Sequence, residues 1–173
     1  MARLIPIRRR GGLVLGLLLA ASLVQAAPAA PRQTPSGLPV PRYVTLKFNE
    51  VNARGGPGDD YRLLWVYRAR GLPLQVVAET QEWRRVCDPR GHLAWVKATG
   101  VDGRRSVLYG GDAPLPLRAK PQTAARASAL LAPRSVAELD RCKDGWCRIK
   151  PHGGSGWAPA SAFWGVDERA QCR

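Results

Sequence analysis

Several residue types are scarce. The 173 residues include two histidines, one methionine and two phenylalanines, and the longest apolar run, Leu13 to Val24, is twelve residues. Such a run falls well short of the ~20 residues of a membrane-spanning helix, and a multi-span membrane protein is excluded. No Gly-X-Y period and no heptad pattern is present, which removes a collagen repeat and a coiled coil. Two histidines leave little material for a metal centre or a histidine-based catalytic set. Basic residues outnumber acidic ones 27 to 13, for a formal charge of +14, yet no block of five or more basic residues occurs. Charge dispersed in this way is by default a solvated surface.

Glycine (18) and proline (15) are plentiful, six tryptophans and four tyrosines are present, and 45% of residues are apolar. Scattered Gly and Pro favour many short strands and turns over long helices. Ala124 to Leu131 is the one stretch with the makings of a helical turn.

The N-terminus reads as an address. Arg3 and Arg8 to Arg10 precede the apolar run, which ends in Val24-Gln25-Ala26. This is the pattern of a secretory signal peptide over 1–26, cleaved after Ala26. The alternative is an uncleaved anchor. Cleavage removes four arginines and no acid, taking the formal charge from +14 to +10. No cysteine follows the run for lipid attachment, and no integral membrane anchor is expected after cleavage. Residues 27–39, rich in Ala, Pro, Gln and Ser, read as a flexible leader.

Four cysteines, Cys87, Cys142, Cys147 and Cys172, all follow the cleavage point. In the oxidising compartment that export implies, they are expected to pair. Cys142 and Cys147 flank Lys143-Asp144-Gly145-Trp146, and Asp-Gly is a preferred two-residue hairpin turn. With that turn, Cys142 and Cys147 face each other across the hairpin within bonding distance. A Cys87–Cys172 pair then follows by elimination. A zinc site on Cys142, Cys147 and His152 is disfavoured by the spacing and the single nearby histidine. No metal or cofactor is expected.

The chain also repeats itself. Segment 51–61, VNARGGPGDDY, runs parallel to 115–125, LPLRAKPQTAA, aligning Arg54 with Arg118 and Pro57 with Pro121. Segment 72–86 then matches 135–149, aligning Trp83 with Trp146, and 91–96 matches 154–159, aligning Trp95 with Trp157. Alternation such as Leu72, Leu74 and Val76 against Pro73 and Gln75 predicts strands, and turn signals recur every eight to twelve residues.

Asn52, Arg54, Pro57 and Tyr61, followed by Gly71, Trp83, Val86, Gly91, Trp95 and Val96, resemble the pattern of the bacterial SH3-like domain. The second copy lacks the Asn, has Ala125 where Tyr is expected, and keeps GWCRI and GSGWAP. The whole chain resembles exported proteobacterial proteins with two such domains. The resemblance implies an all-β fold of two small SH3-like β-barrels in tandem, over 40–108 and 109–167, with a tail over 168–173. It also implies binding to cell-wall material or to peptide segments of envelope partners.

Most motif residues read as structural. Asn52 is expected to bond its own backbone at a turn. Trp83, Trp95, Trp146 and Trp157 are expected to pack in the cores, with ligand contact as the alternative. Along 64–67, Leu64 and Val66 alternate with Trp65 and Tyr67, so one pair faces in and the other out. With the aliphatic pair inside, Tyr61, Trp65 and Tyr67 beside Arg62, Arg68 and Arg70 form a recognition surface. The competing reading is that these aromatics cover the second copy.

Catalysis finds little support. Cys87 lies five residues before His92 but lacks an evident orienting group, and no serine sits in a nucleophile elbow. Nucleic acid is not expected as a partner, since no reader motif is present. The expectation is a non-enzymatic periplasmic binding module. Its partner would be a cell-wall polymer or a peptide or protein ligand. The alternatives are an envelope adaptor that does not bind the wall and, remotely, a small hydrolase.

Overall fold

Alternating apolar residues, broken by glycine turns, build two antiparallel sheets of seven strands each. The computed structural model describes residues 34–151 and 153–172; the expected signal peptide and residues 27–33 of the expected leader lie outside them. The first sheet contains β1 (Arg42–Leu46), β2 (Val51–Arg54), β3 (Leu63–Tyr67), β4 (Pro73–Glu79), β5 (Trp83–Cys87), β6 (Leu93–Lys97) and β7 (Val101–Asp102). The second contains β8 (Ser106–Tyr109), β9 (Leu115–Arg118), β10 (Ala127–Leu131), β11 (Val136–Lys143), β12 (Trp146–Lys150), β13 (Gly156–Pro159) and β14 (Phe163–Trp164). Single 3-10 turns at Ala98–Gly100 and Ala160–Ala162 precede β7 and β14.

The repetition is complete in topology. The first sheet runs β3-β2-β6-β5-β4-β1-β7, and adding seven to each number gives the second, β10-β9-β13-β12-β11-β8-β14. The register repeats too: Arg54 lies opposite Trp95 and Arg118 opposite Trp157. Both sheets are open, which corrects the expectation of barrels. The end strands β3 and β7 have one neighbour each, as do β10 and β14. The closing strands β7 and β14 are two residues long, too short to carry a ladder across to β3 or β10. Ser106 to Leu108, placed above in the first copy, pair with β11 of the second sheet. Ala127–Leu131 is a strand rather than a helical turn, because pairing with β9 buries Leu131.

Each sheet folds over its own core. Leu46, Leu74, Val76, Val86 and Val96 fill the first; Val107, Leu117, Leu139, Ile149 and Phe163 fill the second. Each such side chain contributes roughly 1.5–3 kcal/mol by leaving water. At the 142–147 hairpin, Asp144 (φ 50°) and Gly145 (φ 77°) form the turn, setting Cys142 opposite Cys147. These two cysteines are bonded, as are Cys87 and Cys172.

The copies are fastened to each other. Tyr43 of β1 meets Trp164 of β14 edge-on, with ring centroids 5.3 Å apart. Thr45 and Ser106 bring their buried hydroxyls to 2.8 Å. Gln75, fully buried in β4, donates to the Arg169 carbonyl at 2.8 Å and accepts from the Gln171 N–H at 2.8 Å. Within the expected tail, residues 168–172 are therefore an arm laid back on the first copy, with Cys172 bonded to Cys87. Residues 34–39, expected in the flexible leader, form a turn in which the Ser36 N–H and hydroxyl both donate to Glu79.

The Tyr43 hydroxyl is buried with no hydrogen-bond partner among the described residues. Burial raises its pKa to about 12; Asp167 adds to the rise and Arg105 opposes it. Tyr43→Phe removes the orphaned group and keeps the ring against Trp164. An unchanged or slightly higher Tm is expected, worth up to about 1 kcal/mol in stability. A clear fall in Tm would show that the hydroxyl is bonded.

Candidate functional site

The loop between β2 and β3 is closed by the motif arginine. Arg54 donates from Nη1 to the Tyr61 carbonyl at 2.8 Å, and Arg118 does the same to the Ala125 carbonyl at 2.9 Å. A bond made identically in both copies closes a loop; it need not touch a ligand. The Tyr61 ring lies over the loop so closely that a Cβ on Gly56 would come within 2.2 Å of it. Glycine at that position is what lets the ring settle there.

Beside this loop is a groove of about 210 Å³ lined by Phe48, Asn52, Arg54, Asp59, Trp83 and Lys97. Lys97 pairs with Asp59 and also sits 5.7 Å from the centre of the Trp83 ring. Asp59 in turn lies 3.7 Å from Arg54. Phe48 and Tyr61 are each about half exposed, at 49% and 47%, and Leu63 is nearly so. Large apolar side chains left in water beside a groove mark a contact surface. At the aligned position of the second copy, Ala125 stands in place of Tyr61 and is buried.

The family profile of the bacterial SH3 domain matches this chain twice, over residues 47–103 and 111–165. The chain belongs to that family. Among solved structures, it is similar to NlpC2 from Trichomonas vaginalis, with 14% identity and a TM-score of 0.33 over 72% of this chain and 48% of that one. It is also similar to NlpC1 from the same organism, with 15% identity and a TM-score of 0.31 over 86% and 51%. The chain spans about half the length of each. A likeness of that size bears on neither activity nor substrate. No curated protein matches the sequence.

In this tandem bacterial SH3 protein the six residues expected to form one surface are dispersed. Tyr61 and Arg62 precede β3, and Arg68 and Arg70 follow it. A five-residue strand separates the two ends by roughly 16 Å. Arg68 pairs with Glu50 at 3.0 Å, and Arg70 lines a different cavity. The expected orientation of β3 is corrected. Val51 and Ala53, both buried, lie opposite Tyr67 and Trp65, so the aromatic pair faces inward. Tyr67 is buried in the core and Trp65 packs against it half-buried. The Tyr67 hydroxyl points to Asp88 at 3.4 Å, and burial, followed by that carboxylate, raises its pKa above the usual tyrosine range. Asp88 itself accepts the backbone N–H groups of Arg90 and His92, both at 2.9 Å, so it organises the turn after β5.

The other motif residues fall in structural places. Asn52 lies within β2 opposite Val66, rather than in a turn. Trp83 is buried, and Trp95, Trp146 and Trp157 are half-buried. Arg141 stacks 5.4 Å from the centre of the Trp157 ring. Sequence reasoning missed Phe48, Leu63, Asp59 and Lys97. The apolar residues of LKFNE and the Asp-Asp of the loop were visible, but no periodicity singled them out.

Proposed function

We propose that this protein is a non-enzymatic binding module of the cell envelope, exported to the periplasm of a proteobacterium. It recognises cell-wall material through the surface of its first copy. The observation that carries this reading is the groove lined by Phe48, Asp59, Trp83 and Lys97, with the Phe48 and Tyr61 rings half in water on the first copy and Ala125 in place of Tyr61 on the second. Membership of the bacterial SH3 domain family supports a binding role. The basic character supports attraction to anionic envelope polymers.

A reading without chemistry fits the side chains. All four cysteines are spent in disulfides, so none offers a thiolate. The described histidine, His92, has its ring Nδ1 3.3 Å from Asp88, a carboxylate already committed to the turn. The described residues bring no three His, Cys, Asp or Glu side chains together as a metal site.

The test is co-sedimentation of the full chain with purified peptidoglycan. The protein is expected in the pellet, and Tyr61→Ala and Phe48→Ala should each weaken retention by roughly five- to thirtyfold. Both side chains are half exposed, so the melting temperature should hold. Protein that stays in the supernatant would overturn wall binding and favour a protein-interaction adaptor.

A further inference from the structure

We propose that the cleft between the two copies is a second binding site, one that takes an oxyanion: a phosphate or carboxylate group on an envelope ligand. The cleft has a volume of about 670 Å³ and is larger than the groove on the first copy. Its walls come from both copies. Arg70 stands in the turn between β3 and β4, Arg104 and Arg105 in the link between the sheets, and Lys150 at the end of β12. Glu138 is the one carboxylate on the lining. Four cations converge on one concavity, in a protein whose charge is otherwise scattered.

The partners of these cations show which are available. Arg104 spends its fork on Asp102, with contacts of 3.0 Å from Nε and 2.6 Å from Nη2. Lys150 reaches Asp140 at 3.3 Å. Arg105 gives one Nη2–H to the Gly165 carbonyl at 2.9 Å and lays its guanidinium 5.2 Å from the centre of the Tyr43 ring. That arrangement fixes the group in place, and its other N–H donors have no partner among the described residues. Arg70 has no ion pair and no side-chain hydrogen bond among the described residues. Two guanidinium groups therefore remain: Arg105 in the link, held against Tyr43, and Arg70, exposed in the turn between β3 and β4.

Guanidinium forks match the paired oxygens of carboxylate and phosphate and bind them through two parallel N–H bonds. The floor of the cleft does not compete, because the Thr45 and Ser106 hydroxyls are satisfied by each other and by the Arg104 carbonyl at 2.6 Å. Among the described residues the lining carries no aromatic side chain on which a base would stack, so the cleft favours an oxyanion over a nucleic acid. Neither copy alone has the site. This proposal is independent of the wall-binding groove and survives if that reading fails.

The experiment is an amide chemical-shift titration of the full oxidised chain with inorganic pyrophosphate and, separately, with tricarballylate. Saturable shifts at Gly71, Ser106 and Ala137 are expected for at least one probe, and which probe binds identifies the source of the oxyanion. Arg70→Gln should weaken binding about five- to tenfold, and raising salt from about 50 to 300 mM should weaken it further. Arg70 is exposed, so this variant folds whatever Arg105→Gln does to the packing on Tyr43. Arg126→Gln, at the far edge of the second sheet, should bind as the parent does. The proposal is overturned by shifts that never saturate, by no shift with either probe, or by an Arg126→Gln loss equal to that of Arg70→Gln.

Discussion

Removing the Cys87–Cys172 bond is expected to cost about 4–5 kcal/mol, the largest single effect of any change considered. The two residues are 85 apart in sequence, so the bond closes most of the folded chain into one loop. Cross-linking a loop of that length removes on the order of 4–5 kcal/mol of chain entropy from the unfolded state. Cys172→Ala should therefore lower Tm by on the order of 10 °C, read by thermal melting without reductant. The hairpin bond Cys142–Cys147 spans five residues, and its loss should cost only about 2 kcal/mol. A Cys172→Ala chain that melted within a degree or two of the parent would show that the non-covalent contacts of the tail suffice.

Glu79→Gln is expected to cost about 3–5 kcal/mol at neutral pH. The Glu79 side chain is wholly buried, and Arg42 and Arg84, each 14% exposed, both pair with its carboxylate. Replacing the carboxylate by an amide leaves two nearly buried guanidinium groups without a counter-charge. The loss should also depend on pH. Burial pushes the Glu79 pKa up, but hydrogen bonds from Ser36 and Arg42 outweigh it and bring the group from 4.5 to about 2. A pKa lowered by folding adds stability above about pH 4.5 and loses it as pH falls toward 2. Urea unfolding at pH 7, 4.5 and 2.5 checks this: the gap between parent and variant should narrow steadily with acidification. A gap that stayed constant over that range would mean that the carboxylate titrates normally.

What the sequence revealed depended on how local each signal was. The repeat was legible because aligned residues do the same work: Arg54 and Arg118 close equivalent loops, and each lies opposite an aligned tryptophan. The hairpin disulfide was legible because Asp144-Gly145 sets its own register. The orientation of β3 was not. Alternation says that Leu64 and Val66 share a face, yet which face is inside is decided by Val51 and Ala53, a loop away on β2. Openness of the sheets was hidden because nothing local limits β7 to two residues. The docking of the tail is not legible because its partners are remote: Gln75 and Gln171 are 96 residues apart, and no short pattern links them. The interdomain cleft is hidden for the same reason: Arg70 adjoins Arg68 and Tyr67 in sequence, while the residues it faces across the cleft lie more than 30 positions away.

The returning tail also sets an order of events. A chain that emerges from its N-terminus makes the whole first sheet by Asp102, well before Gln171 and Cys172 arrive. Until then Gln75 lacks its partners and Cys87 its native one. The first copy is thus assembled early and sealed last, by the final turn of the second. A chain cut short before residue 172 carries an unspent thiol on Cys87, so its incompleteness is written in a group that a thiol reagent can count once the chain is unfolded.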